Sequence, residues 1–410
     1  MTRPRPVTPS RPTFRALVAL AALVLPLSAC TGTQETRTPV ALLVGGTPDD
    51  GASGAIDVVA TNLPRPPGDA PPPLAAVDGF RVALPGPVTA LEVREDGGRI
   101  YALYRDGADR VAVFDATALD LADPASLVRL RTLDLGARVA AALPGFDGPD
   151  ALCATGLAVA ADGDWVGVTH DARACGDATG VPEALLIEAR PDGTRAFASV
   201  GSDDAPATPA FAVLDGRERF AWVTRGASAA VRTRALDAPA DVTTFADLGP
   251  YEDATGLGVG GSGLVVLEDD ALLAVAADDG ARSAEWRTDD DATFTGVVDL
   301  GPRSGRAGSG AAYARTPRGI AFVRDVGAEA SDAAVVQGSA FDPRDATVGP
   351  YDYLYVARRS EVVAFDLLTL AGLDPDADVL RAAHVGALDD LEARAVAWTF
   401  ARDGRAPQAE

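Results

Sequence analysis

The sequence predicts an all-β fold, a seven-bladed β-propeller closed by pairing N- and C-terminal strands in one blade. Three observations predict it. Short β-branched and aromatic runs are separated by Asp-Gly, Gly-Ser-Gly and Pro-containing turns, the runs recur with a period of about 50 residues, and the two chain ends carry complementary strands. A β-sandwich or two smaller β domains would explain the strands, but not the period or the matching ends.

Six internal copies of a four-stranded meander follow one another along the chain. The clearest copy begins at Val88 and contains VTALEV, RIYALY, RVAVFD and LVRLRTLDL. The second and fourth copies open with the same tetrapeptide, Ala-Thr-Gly-Leu, at 154–157 and 254–257. In the sixth copy we expect VVQGSAF at 335–341 to be the first strand and 342–351 to be a loop. The second to sixth copies begin at Ala154, Ala210, Ala254, Thr293 and Val335.

The chain ends are predicted to form the seventh blade together. The C-terminal run Arg394–Phe400 supplies a first strand, and the N-terminal runs at 40–44, 54–59 and 77–84 supply three more. A ring closed in this way leaves no unpaired edge strand at the seam, which is the physical reason to expect it. The Pro-rich segment 64–73 falls within this blade, so we interpret it as a stiff loop and not as a domain linker.

The first 29 residues have the features of an export signal. They carry four arginines and no acidic residue, and the apolar stretch ALVALAALVL begins at Ala16. That stretch is shorter than the roughly 20 residues that a membrane-spanning helix needs, so we expect a cleaved signal peptide. Residues 27–30, Leu-Ser-Ala-Cys, resemble the lipobox of bacterial lipoproteins. The resemblance implies a lipid on the Cys30 thiol and cleavage just before Cys30.

Three regions are therefore expected. Residues 1–29 are a lipoprotein signal peptide, 30–38 a lipidated tether, and 39–410 a single β-propeller domain. The predicted location is outside the cytoplasm, where the acyl chains on Cys30 insert into the cell membrane or the outer membrane. An ordinary signal peptide with a chance cysteine at the cleavage site is the alternative.

The charge of the chain restricts its partners. The net charge is −23, and every one of the 36 basic residues is arginine. Removing the four arginines of the signal leaves −27, a field that repels nucleic acid because binding it requires the neutralisation of phosphate. We therefore expect no nucleic-acid partner. High solubility is the simpler consequence of such a charge.

Two of the copies resemble a known repeat. RIYALY at 99–104 followed by DRVAVFDAT at 109–117, and YLYVA at 353–357 followed by SEVVAFD at 360–366, look like the YVTN repeat. The resemblance implies a propeller of the surface-protein, lactonase-like group. It implies no particular ligand.

Cys153 and Cys175 are expected to form a disulfide bond. They are the even pair that remains after Cys30, in an oxidising compartment. Antiparallel pairing across the turn at 162–163 places residue 153 opposite about residue 172, within reach of Cys175. Two free thiols are the alternative.

The expected bond would fix the loop 171–181 on the face that carries ligands in the resembled group. We therefore regard His170, Asp171 and Arg173 as a candidate binding face. A purely structural disulfide that stabilises a long loop is an equally good explanation of the bond.

The residues give little support for catalysis. The two histidines, His170 and His384, fall in different copies, lysine is absent, and no Gly-x-Ser-x-Gly elbow joins a strand to a helix. The calcium-dependent propeller lactonases surround their metal with asparagines, whereas Asn62 is the single asparagine of this chain. The sequence therefore favours a membrane-anchored, non-catalytic binding or scaffold module for an envelope protein or polymer.

Calcium is the one cofactor that the sequence suggests. Asp374, Asp376 and Asp378 alternate as in oxygen-rich calcium loops, although a solvated acidic loop is the other explanation. The run GLAVAADG at 156–163, followed by 165–171, loosely resembles the first blade of phytase-like propellers. A calcium-dependent phytase-like or esterase-like hydrolase is therefore the alternative function.

Overall fold

The computed structural model describes fifteen segments of the chain, all within one compact unit that spans Thr38–Glu410. Within them, twenty-eight strands form seven four-stranded antiparallel sheets. These sheets are the blades of a propeller, which confirms the predicted fold class. The described residues are 40–61, 74–144, 152–176, 183–199, 209–226, 229–249, 251, 254–268, 271–287, 293–300, 311–317, 319–323, 334–337, 342–367 and 384–402.

The strands follow the chain blade by blade. The closing blade begins with β1 (Val40–Pro48), β2 (Gly54–Thr61) and β3 (Ala75–Leu84). Blade 1 contains β4 (Val88–Val93), β5 (Arg99–Asp106), β6 (Ala108–Asp115) and β7 (Val128–Asp134). Blade 2 contains β8 (Ala154–Val159), β9 (Trp165–His170), β10 (Glu183–Glu188) and β11 (Ala196–Ala198). Blade 3 contains β12 (Ala210–Leu214), β13 (Arg217–Thr224), β14 (Ala230–Ala235) and β15 (Ala238–Asp247).

The second half of the ring repeats this arrangement. Blade 4 contains β16 (Gly256–Val259), β17 (Gly263–Leu267), β18 (Ala271–Ala276) and β19 (Arg282–Arg287). Blade 5 contains β20 (Gly296–Val297), β21 (Ala312–Thr316), β22 (Gly319–Val323) and β23 (Ala334–Gln337). Blade 6 contains β24 (Asp345–Val348), β25 (Tyr353–Arg358), β26 (Glu361–Asp366) and β27 (His384–Ala387), and β28 (Leu391–Phe400) returns to the closing blade.

Helical structure is sparse in the described residues. The helix α1 (Leu135–Ala142) follows β7, and the Asp134 carboxylate caps it by accepting from the N–H of Ala137 at 2.9 Å. Short 3₁₀ helices occupy Pro124–Ser126, Ala172–Cys175 and Pro350–Asp352. No described helix combines the length and the apolar character that crossing a bilayer needs.

The seam of the ring lies between β28 and β1. These two strands pair antiparallel from Val40 opposite Phe400 to Pro48 opposite Leu391, with one register shift at Gly45. The sheet order is β28-β1-β2-β3, so the last strand of the chain is the innermost strand of the closing blade. The predicted pairing of the chain ends is therefore confirmed.

Apolar side chains fill the interfaces between neighbouring blades. In the described residues, seven apolar clusters correspond to the seven interfaces. Strand β1 begins with five consecutive apolar residues, Val40 to Val44. Val40 and Leu42 pack against blade 6, whereas Ala41 and Leu43 pack against blade 1. A strand buried on both faces reads as a continuous apolar run instead of an alternating one.

The predicted boundary between blades 5 and 6 was wrong. The described part of the run 335–341 pairs with β22 as the outer strand of blade 5, from Gly319 opposite Gln337. The first strand of blade 6 is Asp345–Val348, within the predicted loop 342–351. The helix α1 was also missed. The Pro-rich segment 64–73 lies outside the described residues.

Candidate functional site

A central cavity runs along the axis of the ring. Its volume is about 910 Å³, and the innermost strands of all seven blades line it. Its charged lining side chains belong to Glu92, Glu95, Glu218, Asp299, Arg315, Arg344, Asp345 and Arg394. Inner strands in a propeller run in the same direction, and Cys153 immediately precedes β8. The early residues of each inner strand therefore lie at the cavity mouth on the disulfide side, which we call the disulfide mouth.

A level of threonines surrounds the disulfide mouth. The backbone N–H groups of Thr255, Thr295 and Arg344 bind the carbonyls of residues on the second strands of their blades, at 2.7, 2.8 and 2.9 Å. These three residues therefore occupy equivalent positions. In blades 1 and 2 the pairing of the first and second strands shifts register at the corresponding position, and Thr89 and Thr155 lie at these shifts without a paired residue opposite them. All five residues line the cavity, so its mouth is formed by threonines of four blades and one arginine.

Two carboxylates from neighbouring blades face the cavity below this level. Asp299 accepts the N–H of Val259 at 2.7 Å, and Asp345 accepts the N–H of Val396 at 2.9 Å. Val259 and Val396 lie on the innermost strands of their blades, so no strand on the cavity side can accept their N–H groups. Each carboxylate supplies the missing acceptor. The two carboxylates therefore fasten blade 5 to blade 4 and blade 6 to the closing blade.

The surroundings of these carboxylates oppose their ionisation. Water in the cavity reaches Asp299, but protein surrounds it on all sides, and this desolvation raises its pKa to about 6, with a further contribution from the negative charge of Asp345. Desolvation also raises the pKa of Asp345. The positive charge of Arg315 opposes both shifts. One arginine thus partly compensates two carboxylates.

Two glycines leave room for the cluster formed by Asp299, Arg315 and Asp345. A Cβ atom at Gly258 would lie 2.5 Å from Asp299 Oδ1, and a Cβ atom at Gly296 would collide with the guanidinium group of Arg315. Arg315 also donates to the carbonyl of Arg344. The backbone of the inner strands therefore fits the side chains of the cluster, and larger residues at 258 or 296 would displace them.

The rest of the charged lining is divided between the two ends of the cavity. Arg344 and Arg394 lie at the disulfide mouth, and Arg344 forms an ion pair with Asp342 at 2.9 Å. Glu95 and Glu218 lie near the turns that join first and second strands, at the opposite end. Positive charge therefore marks the mouth, and negative charge marks the interior and the far end.

The disulfide bond fixes a loop beside the mouth. Cys153 and Cys175 are bonded, with their Cα atoms 6.0 Å apart, which confirms the predicted pairing. The Asp171 N–H binds the Cys153 carbonyl at 2.8 Å, and the 3₁₀ helix Ala172–Cys175 turns the chain back to the bond. Ala174 is exposed at this position. The segment 171–176 is thus fixed by backbone hydrogen bonds and by the disulfide bond.

His170 is part of the support for this loop. Its ring is buried, and its Nδ1 accepts the N–H of Cys153 at 2.8 Å. Desolvation lowers the pKa of His170. Beside it, Arg105 binds Asp109 through two hydrogen bonds of 2.7 and 2.8 Å, and buried Asp109 also accepts the Ala154 N–H. Polar bonds therefore join blades 1 and 2 at the start of β8.

The predicted binding face must be corrected at His170. This side chain is buried and is not part of the cavity lining, so it serves the packing of blade 2 and offers no surface to a partner. Asp171 is half-buried at the base of the fixed loop, and the backbone of Arg173 lies in the exposed 3₁₀ turn. For Asp171 and Arg173 a contact role stays a prediction.

The remaining predicted sites fall outside the described residues. These are the lipidated Cys30 and the calcium candidates Asp374, Asp376 and Asp378. Within the described ranges, no group of three or more His, Cys, Asp or Glu side chains could hold a metal ion. The calcium hypothesis therefore stays a prediction.

The sequence analysis missed the cavity residues Asp299, Arg315 and Asp345. They lie on two neighbouring blades, far apart in sequence, and no motif surrounds them. One signal did point to their level of the cavity. The repeated tetrapeptide Ala-Thr-Gly-Leu contains Thr155 and Thr255, which occupy equivalent positions at the disulfide mouth.

Comparison with solved structures supports the class of fold. A candidate 6-phosphogluconolactonase from Bacteroides uniformis superposes with a TM-score of 0.54 at 18% identity, over 88% of this chain and 100% of the other. One from Bacteroides fragilis gives 0.55 at 14% identity, over 90% and 99%. AztD from Citrobacter koseri gives 0.51 at 16% identity, over 89% and 100%.

The seven four-stranded sheets and these similarities identify the chain as a seven-bladed β-propeller, the fold that it shares with these neighbours. At such low identity they define the fold alone. No family model matches the chain, and no curated protein matches it.

Proposed function

We propose that this chain is an extracytoplasmic lipoprotein, anchored through Cys30, whose propeller is a non-catalytic binding module for an envelope protein or polymer. The observation that supports the binding role most directly is the loop held by Cys153–Cys175 beside the cavity mouth. An exposed loop held rigid before binding loses little conformational entropy when a partner docks.

The chemistry around the loop is that of support. The Nδ1 atom of His170 is occupied by the Cys153 N–H, so in this arrangement it does not take a proton from a substrate. Asp109 is held by Arg105 and by the Ala154 N–H. The comparisons do not favour the calcium-dependent hydrolase that the sequence left as an alternative, and the lactonase names of the structural neighbours are not transferred to this chain.

Lipid anchoring is tested by metabolic labelling with an alkyne fatty acid in a bacterial host that expresses the full chain. We expect label and membrane association for the parent chain, and neither for Cys30→Ser. Cys153→Ser is the matched control, since it also removes a cysteine but leaves the lipobox unchanged. Equal membrane association of the parent and Cys30→Ser would contradict the anchor.

The binding role is tested by site-specific photocrosslinking in intact cells. A photoreactive residue at exposed Ala174 should give one defined envelope adduct, identified by mass spectrometry. The same residue at Asp215, exposed in the β12–β13 turn on the opposite face, should not. The adduct should also be lost when Cys153 and Cys175 are both replaced by alanine. Identical adducts from both positions, or none from Ala174, would contradict the proposal.

A further inference from the structure

The central cavity separates charge along its axis. Asp299 and Asp345 carry two negative charges, and Arg315 beside them supplies one positive charge. At the disulfide mouth Arg344 is paired with Asp342, whereas Arg394 has no ion-pair or hydrogen-bond partner within the described part of the chain. When both aspartates are ionised, the positive charge of Arg394 at the mouth and one negative charge within the group Asp299, Arg315 and Asp345 are left without compensation.

The strand registers give the distance between these charges. Asp345 pairs with Ala357, and Gly296 pairs with Arg315. Each of these second-strand partners lies one residue before the last residue that pairs across the hairpin between the second and third strands of its blade. Asp345 and Gly296 therefore lie at the same depth, and Asp299 lies three residues further in. At the usual strand rise this places Asp299 roughly 10 Å deeper than Asp345. Arg394 precedes Val396, the backbone partner of Asp345, so it lies towards the mouth.

We propose that the cavity binds a small zwitterion, a short peptide lying along its axis, with its carboxylate at Arg394 and its ammonium group at Asp299, the deeper of the two aspartates. A guanidinium group donates charge-assisted hydrogen bonds to a carboxylate, and a carboxylate such as that of Asp299 accepts them from an ammonium group. Glu92, Glu95 and Glu218 add negative charge to the lining on the other side and deeper, which reinforces the orientation.

The size and polar lining of the cavity fit such a molecule. A volume of about 910 Å³ lies within the usual range for small-ligand sites. Among the described residues, Thr255 Oγ1 and Arg315 Nε are buried without a hydrogen-bond partner, and both residues line the cavity. Because solvent does not reach these two atoms, the groups that would meet a polar ligand are the charged side chains of Arg394, Asp345 and Asp299.

Isothermal titration calorimetry on the purified full chain tests this. The probes are the standard L-amino acids and their dipeptides with glycine, followed by the N-acetyl and amide derivatives of the tightest binder. The N-acetyl form lacks the ammonium group, and the amide form lacks the carboxylate. We expect one-to-one saturable binding by at least one zwitterion, and about tenfold or greater weakening for each derivative, since each loses a charged hydrogen bond.

Variants assign the two ends of the site. Asp299→Asn keeps an oxygen for the Val259 N–H, and Arg394→Gln changes an exposed side chain, so both should fold. Each should weaken binding about tenfold or more. Asp192→Asn and Arg217→Gln make the same chemical changes at exposed positions outside the cavity and should leave binding unchanged.

The proposal is overturned if no zwitterion in the set binds, if the N-acetyl derivative binds as tightly as its parent, or if Asp299→Asn leaves the affinity unchanged. It rests on neither the lipid anchor nor the macromolecular partner. Crosslinking at Ala174 can therefore fail while calorimetry succeeds, and the reverse, so the failures of the two proposals are distinguishable.

Discussion

Replacing Asp299 with asparagine should stabilise the propeller at neutral pH. Asparagine has nearly the same shape and still accepts the N–H of Val259, so the link between blades 4 and 5 is retained. What is removed is a negative charge that the surrounding protein partly desolvates and that the negative charge of Asp345 disfavours further. The substitution therefore separates the cost of the charge from the contribution of the hydrogen bond.

The expected gain follows from the pKa of Asp299. A rise from 3.8 to about 6 corresponds to about 3 kcal/mol between the ionised folded and unfolded states. Because cavity water reaches the side chain and screens part of this, we expect about 1–2 kcal/mol. The folded protein binds this proton more tightly than the unfolded chain, so stability falls as pH rises from about 4 to about 6, and the cost is complete above that range.

Calorimetric melting of the parent and Asp299→Asn at pH 7.5 and pH 4 measures this effect. We expect the variant to melt about 1–3 °C higher at pH 7.5, with the difference largely gone at pH 4. Asp192→Asn, at an exposed turn, is the control and should not change the melting temperature. An Asp299→Asn protein that melts at or below the parent at pH 7.5 would refute the argument.

Four further results are expected. Zwitterion affinity, measured by calorimetry, should fall as pH drops through about 6, since Asp299 must be ionised to hold an ammonium group; an affinity independent of pH from 7.5 to 5 would contradict this. Replacing Cys153 and Cys175 with alanine should cost about 3 kcal/mol in unfolding free energy, seen as a lower melting temperature that reductant no longer affects. Glu188→Gln should destabilise the protein at pH 7 by about 1–2 kcal/mol. The hydrogen bond from the Arg195 side chain is the largest cause of the lowering of the Glu188 pKa to about 2, so the melting difference should disappear as pH falls from about 4.5 through about 2. Trp398→Ala should cost about 3–5 kcal/mol, measured by thermal melting, because this buried side chain packs between the closing blade and blade 6 and donates to the Val348 carbonyl at 2.9 Å.

The sequence was sufficient to predict the ring because each blade interface needs apolar residues on both faces of the strands. The first five residues of β1 are all apolar for this reason, and residues 395–398 of its partner β28 show the same pattern. The pairing of Cys153 with Cys175 followed from the turn at 162–163, which sets the register of β8 and β9. These features depend on local pattern or on short sequence separations.

The error at blades 5 and 6 has a physical cause. The first strand of blade 6, Asp345–Val348, begins with a carboxylate that faces the cavity, so it lacks an apolar pattern. The run at 335–341 is more apolar, but part of it is the outer strand of the preceding blade. Apolar content indicates a strand and does not indicate which edge of a blade the strand occupies.

The candidate site was unpredictable for a related reason. Asp299, Arg315 and Asp345 meet because the ring brings the inner strands of neighbouring blades to one axis, and no sequence spacing encodes that meeting. His170 shows the converse. Its position at a strand end beside a long loop suggested an exposed contact, whereas the return of the 3₁₀ turn to Cys153 encloses it.

Asp299 carries a negative charge that the fold does not need at this position. The fold requires only an oxygen to accept the Val259 N–H, and asparagine would supply it. Two buried carboxylates elsewhere that bind backbone N–H groups are compensated by arginine, Asp109 by Arg105 and Glu188 by Arg190 and Arg195. Asp299 and Asp345 share one arginine, so an ionised pair at neutral pH is unfavourable until another cation joins it. A bound ammonium group would reverse that cost, so the stability gained by Asp299→Asn and the affinity lost by it should come from the same charge.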